Sequence, residues 1–267
     1  MTKAPGADAL RAALAHVVWV GGATDSGKTS VARALATAHD WEAYHYDRFD
    51  RVEAPGHVSR IDPARHPHMD AFRNKTLEDR WVNTTPEEML AAWLESTAER
   101  FEFVLDDLLA LPSGRLTVAE GYGMLPELVA PLLSSPRQGI WLVSDERFKR
   151  ESHARRTALG EKGSLWSQLS DPQRARENHI GRDLLIAAHI RQRASERGLT
   201  VVEVDGAQTL DEVIAEVEAH VAPYLVATLR RRFSSSEAPE APPESAARMA
   251  GHGVFRAAAD GKGARRD

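Results

Sequence analysis

The chain has 267 residues, 42% of them apolar, which suffices for one large α/β domain carrying an insertion and a tail. A formal charge of −5 supplies no global basic field, so wrapping of nucleic acid is not expected. No cysteine is present, which excludes disulfides, thiolate zinc sites and cysteine nucleophiles and suits a cytoplasmic setting; no apolar run approaches a membrane span.

Residues 1–14 read as an N-terminal extension without a long apolar stretch. Beyond them, short apolar runs alternate with amphipathic stretches. This predicts five parallel strands at about 16–21, 41–46, 115–120, 138–143 and 199–204, joined by helices. The first, third and fifth are rich in valine, as strands buried on both faces are.

The first strand runs into Gly22-Ala23-Thr24-Asp25-Ser26-Gly27-Lys28-Thr29, a full GxxxxGK[ST] pattern, and a helix follows from about Gly27 through Ser30 to Ala38. A buried strand, a glycine-rich turn and a helix start gather backbone N–H groups and the positive end of a helix dipole around one anion. Nucleotide phosphates are the expected occupants. Lys28 would reach the terminal phosphates, and Thr29 would offer its hydroxyl to a bridging Mg²⁺.

The second strand ends His45-Tyr46-Asp47-Arg48-Phe49-Asp50-Arg51, at the edge of the sheet where open α/β folds bind ligands. Asp47 is expected to take the proton of an attacking hydroxyl or to orient metal-bound water, and Arg51 to hold an anionic group of the acceptor. Turn capping by Asp47 and a solvated Asp50–Arg51 pair are the plainer alternatives.

Residues 48–111 are too many for a simple crossover and predict a helical insertion on the acceptor side. Thr85-Pro86-Glu87-Glu88 has the form of a capping box with proline at the first helical position. The stripe Leu90, Trp93, Leu94, Phe101, Val104, Leu105, Leu108, Leu109 then marks a core-facing or lid-supporting helix, which Pro112-Ser113-Gly114 stops. His57, His66 and His68 lack a matched acidic ligand set and read as exposed histidines rather than metal ligands. After the third strand comes Glu120-Gly121-Tyr122-Gly123. Glu120 is the expected second carboxylate of a magnesium site, and Gly121 and Gly123 are expected to let substrate approach the backbone.

Downstream of the fourth strand, Arg147, Arg150, Arg155 and Arg156 recur at helical spacing, and Arg174, Arg176 and Arg182 follow on the next helix. As a set they read as a basic lid over 144–197, with Gly160-Glu161-Lys162-Gly163-Ser164 as its hinge; singly, each reads as a surface ion pair. Asp183 reads as a local partner of Arg182 or a cap. Trp81, Trp93 and Trp166 are expected in helix packing, Trp166 being the one placed to stack on a ring. Asp205-Gly206 marks the turn into a last helix near 209–233, and residues 234–267 have the composition of a disordered tail.

Together, the loop, the acid after strand two, the Glu-Gly after strand three, the arginine-rich segment after strand four and Val204-Asp205-Gly206 resemble the P-loop kinase superfamily. The likeness covers roughly residues 15–230 of a domain read as 15–233. It is most like the branch holding nucleoside and nucleotide kinases, shikimate and gluconate kinases, and chloramphenicol phosphotransferase-like enzymes. The resemblance implies a P-loop NTPase three-layer sandwich with a five-stranded parallel sheet in the order 2-3-1-4-5, ATP and Mg²⁺ as ligands, and a closing lid. Carried onto this chain, it matches Gly22, Gly27, Lys28 and Thr29 to the phosphate loop and Asp47 to the acid after strand two. Arg155 or Arg156 then falls in the lid, and Asp205 and Gly206 fall beside the adenine. The chain departs from the pattern in lacking the lid-proximal aspartate-arginine-tyrosine or aspartate-arginine-histidine signature and a complete adenylate-kinase substrate motif. The acceptor is therefore left open. The expected activity is ATP-dependent phosphoryl transfer to a small molecule, with a nucleoside monophosphate kinase or an ATP-binding regulatory protein of slow ATPase activity as alternatives.

Overall fold

Hydrophobic strands of four to six residues seek burial on both faces, and here a sheet with helices on either side supplies it. The computed structural model describes residues 6–47, 56–159 and 166–236. Contacts divide the chain into Met1–Arg230, the unit described below, and Arg231–Asp267. Strands β1 (Val17–Gly22), β2 (Glu42–His45), β3 (Thr117–Glu120), β4 (Gly139–Ser144) and β5 (Thr200–Val204) form one parallel sheet in the order β2-β3-β1-β4-β5, as expected. Every residue of β1, β3 and β4 is buried. β5 corrects the valine-based expectation: of its five residues only Val202 is fully buried, because it forms one edge of the sheet and has no neighbouring strand beyond it among the described residues.

Strand alternation sorts side chains between two cores. Trp19, Trp141 and Val143 pack with Phe101, Val104 and Leu108 of helix α5 (Pro86–Ala110) and with Ile186 and Ile190 of α8 (Pro172–Ser195). Val20, Ile140 and Leu142 pack on the opposite face with Val31 and Leu35 of α2 (Lys28–His39) and Val213 and Val217 of α9 (Leu210–Ser236). Between β4 and α8 runs α7 (Glu146–Ala158), started by the Asp145 side chain, which accepts from the Phe148 N–H. Among the described residues no helix is long and apolar enough to cross a membrane.

The insertion after β2 is helical where it is described, with α3 (Pro67–Asn74) and α4 (Leu77–Trp81) preceding α5. Thr85 and Glu88 close the capping box: Thr85 Oγ1 accepts from the Glu88 N–H, while Glu88 Oε2 accepts from the Thr85 N–H at 2.9 Å. The apolar stripe of α5 is broader than its sequence spacing suggests. Leu109 is exposed, whereas Met89, Thr97, Arg100 and Phe103 are buried, because α3 covers a second face of this helix. At the far end, α9 continues through residues 234–236, three residues into the stretch expected to be tail; residues 237–267 lie outside the description.

Candidate functional site

The loop between β1 and α2 depends on its glycines for two different reasons. Gly22 has φ 132°, and a Cβ there would lie 1.9 Å from the Leu142 carbonyl oxygen of the adjacent strand. Gly27 has φ 83° with open space around it, so conformation alone selects glycine at the start of α2. Gly27 offers no side-chain cap, leaving the first N–H groups of α2 free of one at the mouth of the loop. Inside the loop, Ser26 Oγ donates to the Ala23 carbonyl at 2.8 Å and Lys28 Nζ donates to the same oxygen at 2.5 Å. Burial pushes the Lys28 ammonium below its usual pKa, against the opposing pull of the Glu120, Asp47 and Asp25 carboxylates. Ser30, one residue past Thr29, is exposed on α2.

Parallel register sets His45, Glu120 and Val20 side by side at the carboxyl ends of β2, β3 and β1. Glu120 is 2% exposed, and Thr29 Oγ1 donates to its carboxylate, 3.2 Å from each oxygen. His45 Nδ1 lies 2.8 Å from Glu120 Oε1. The two residues expected at a metal are thus in contact, and a hydroxyl beside a carboxylate is a donor set suited to a hard, oxygen-seeking cation. Asp47 is exposed two residues past β2, within electrostatic reach of Lys28. Arg48, Asp50 and Arg51 lie outside the described residues.

Gly121 and Gly123 serve a different purpose from the one expected. A Cβ on Gly121 would lie 2.3 Å from Tyr46 Cβ, and one on Gly123 would lie 2.3 Å from Tyr46 Cζ. Both glycines make room for the Tyr46 side chain. Above that ring lies the Arg100 guanidinium, 3.8 Å from its centroid, which also donates to the Tyr46 carbonyl at 3.2 Å. Arg100 Nε donates to His57 Nδ1 at 3.1 Å, so the other ring nitrogen, Nε2, carries the proton that His57 donates to Asp107, 2.7 Å away. Burial holds the His57 pKa below its usual value despite Asp107. His57 and His66 therefore correct the expectation of exposed histidines: they are 1% and 2% exposed, with His66 2.6 Å from Glu102, and only His68 faces solvent. Tertiary acids supplied the partners that made burial affordable.

A charged cluster at the back of the loop was not legible in the sequence. Lys149 Nζ, 1% exposed, donates to Thr24 Oγ1 at 2.7 Å, to Asp25 Oδ2 at 2.7 Å and to Asp183 Oδ2 at 2.5 Å. Thr24 Oγ1 in turn donates to Asp183 Oδ2 at 2.5 Å. Burial alone would raise the Asp183 pKa. The positive field of Arg182, His179 and Lys149 outweighs it and holds the carboxyl well below its usual range. Asp183 does pair with Arg182, as expected, at 2.6 Å, but its larger task is to tie α8 to α7 and the loop. The local signal for Lys149 is faint: it shares one buried face of α7 with Ser152 and His153.

Of the two candidate lid arginines, Arg156 reaches the loop and bonds Asp25, whereas Arg155 is exposed; neighbouring helix positions point about 100° apart. Arg147 and Arg150 form surface pairs with Glu151, Glu146 and Glu177. Asp205 and Gly206 sit against the start of α7: the Asp205 carbonyl accepts from Arg147 at 2.6 Å, and a Cβ on Gly206 would meet the Phe148 ring at 3.2 Å. The hinge expected at 160–164 lies outside the described residues.

Beside Thr24 opens a cavity of about 540 Å³, within the range of small-molecule sites. Its walls come from Tyr46, one residue past β2, from α3, α4 and α5, and from Tyr122 and Arg182. Trp81 and Trp93 line it, while Trp166 is buried against Val82, Leu169 and Ala175. The tryptophans available to a ligand ring are thus the two from the insertion, and the expectation for Trp166 is corrected.

No protein-family profile and no curated protein matches this sequence. Among solved structures, it is similar to an uncharacterized protein from Eubacterium ventriosum ATCC 27560, with 12% identity, 78% of this chain and 98% of that chain covered, and a TM-score of 0.37.

Proposed function

We propose that the protein is an ATP-dependent phosphotransferase of the P-loop kinase type, which binds ATP and Mg²⁺ at the Gly22–Thr29 loop and a small-molecule acceptor in the adjoining cavity. The observation that carries this reading is the contact between Thr29 Oγ1 and the Glu120 carboxylate at 3.2 Å, next to buried Lys28. Magnesium-bound ATP would supply the electrophilic phosphoryl group and neutralise charge on its oxygens. The loop backbone and the start of α2 would bind the phosphates, and Lys28 would exchange the Ala23 carbonyl for a phosphate oxygen. Thr29 and Glu120 would hold the metal, with His45 fixing the Glu120 carboxylate. Asp47 would accept the acceptor's hydroxyl proton, and Arg156, now tethered to Asp25, would add positive charge near the transferred group. A cytoplasmic setting accords with the absence of cysteine.

The test is phosphate transfer from γ-labelled ATP to a panel of nucleosides, nucleotides, sugars and aromatic alcohols or acids. Acceptor-dependent transfer that Asp47→Asn abolishes while ATP still binds is the expected result. ATP binding and turnover unchanged in Lys28→Ala would overturn the reading.

A further inference from the structure

The cavity beside Thr24 has a lining of one electrostatic sign. Arg73, Lys75, Arg80, Arg100 and Arg182 contribute to it, and no aspartate or glutamate does among the described residues. Most of these cations are already engaged. Arg73 pairs with Asp70 at 3.1 Å, Arg182 pairs with Asp183 at 2.6 Å, and Arg100 is bonded to His57 and the Tyr46 carbonyl.

Arg80 differs from the others. Its guanidinium donates to the Arg73 carbonyl at 2.7 Å and lies 4.7 Å over the Phe72 ring, yet its Nε is buried without an acceptor. The burial, with no carboxylate to offset it, depresses the Arg80 pKa. The next residue repeats the pattern, since the Trp81 indole N–H is also buried without an acceptor. Both side chains line one cavity, and Arg80 has no acid partner among the described residues to neutralise it there. Around them the walls are aromatic, with Trp93 and Tyr122 stacked at 5.6 Å and 23°.

We propose that this cavity binds an aromatic anion, its ring held among Trp81, Trp93 and Tyr122 and its carboxylate or phosphate oxygens accepting from the Arg80 guanidinium. The flat apolar walls supply area for a ring, and a guanidinium with unfilled donor capacity matches a two-oxygen anionic group. That this ligand is the phosphoryl acceptor rests on the phosphotransferase reading; that it binds here does not.

Calorimetric titration without ATP tests the binding with matched pairs that differ in charge: hydroxyphenylacetate against its amide for the carboxylate class, and adenosine monophosphate against adenosine for the phosphate class. In at least one pair the anion is expected to bind about tenfold or more tighter than its neutral partner, and the pair that does so names the class. Arg80→Gln should erase that preference while leaving the neutral compound's affinity unchanged. The proposal is overturned if neither anion outbinds its neutral partner, or if the preference survives Arg80→Gln. Lys28→Ala separates the two readings. Anion preference without any phosphoryl transfer by the wild type defeats the kinase reading alone. Transfer that requires Lys28 but shows no anion preference defeats this inference alone.

Discussion

The Gly22–Thr29 loop and the cavity wall around Arg80 meet at Thr24, yet they are assembled by opposite means. The loop is eight consecutive residues whose shape follows from two glycines and a strand-to-helix turn. The cavity wall draws on Tyr46, α3, α4, α5, Tyr122 and Arg182, residues up to 158 positions from Thr24. A contiguous loop takes its shape first from local backbone conformation, with Lys149 and Arg156 then fixing Thr24 and Asp25, whereas a scattered wall keeps its geometry only through packing and buried ion networks. Substitutions in the first should therefore act on chemistry with little effect on folding. Those in the scaffold of the second should act on stability or on ligand affinity.

The largest effect should fall on the loop. Lys28→Ala is expected to lower turnover by roughly 10²–10³-fold, as loss of one preorganised cation or donor does, with the unfolding midpoint nearly unchanged. Steady-state kinetics and a thermal melt on one preparation would show whether chemistry and stability separate in this way. Next comes the cluster joining loop to scaffold. Asp183→Ala takes from Lys149, 1% exposed, one of its two carboxylates and leaves Arg182 without its acid, and should cost about 3–5 kcal/mol in urea unfolding, whereas the Lys149→Met, Asp183→Leu double variant, in which Arg156 still pairs with Asp25, should cost less. Equal losses in both would show that the cluster's charges are not what ties α7 to α8.

A steric test follows. Gly123→Ala drives a methyl to 2.3 Å from Tyr46 Cζ and should destabilise by about 1–3 kcal/mol; the pair Gly123→Ala, Tyr46→Ala should cost less than the sum of the two single variants. If the ring is not the obstacle, the two losses will simply add. On the cavity side, Trp93→Ala should raise KM for the acceptor severalfold without changing ATP affinity, which competition binding of the two ligands can resolve. The smallest effect concerns pH. Burial lowers the His57 pKa in the folded chain, so the unfolded chain takes up the proton first as pH falls. Stability from His57 is complete above about pH 6.5 and declines below it until the folded pKa is passed. His220 is shifted in the same direction by burial, so a melt series from pH 7.5 downward should lose less in His57→Gln but should not become flat.

Much of the architecture was legible because its signals are local. Apolar runs placed all five strands within two residues of their observed ends, and Thr85-Pro86-Glu87-Glu88 marked the start of α5 through a capping box that two side chains complete by themselves. The loop was legible for the same reason: spacing dictates where Lys28 and Thr29 emerge. Strand ends also located Glu120 at the carboxyl end of β3, where the parallel register sets it level with Val20, two residues before the loop.

The failures share one cause, which is that burial of a polar group depends on a partner distant in sequence. His57 and His66 looked exposed because nothing nearby could satisfy them; Asp107 and Glu102 do so from α5. Gly121 and Gly123 looked like space for a ligand, and only the fold shows the Tyr46 ring filling it. Lys149 was one cation among many until Asp25 and Asp183 closed around it from 124 and 34 residues away. By itself, then, the sequence determined the strands, the helix starts and the glycine-rich loop, which follow from backbone conformation and hydrophobic period over a few residues. Which charges are buried, which aromatic rings line the cavity, and that, among the described residues, Arg80 is the cavity arginine that pairs with no acid or side-chain acceptor were decided by tertiary structure. Those properties depend on what the rest of the chain brings within hydrogen-bonding distance.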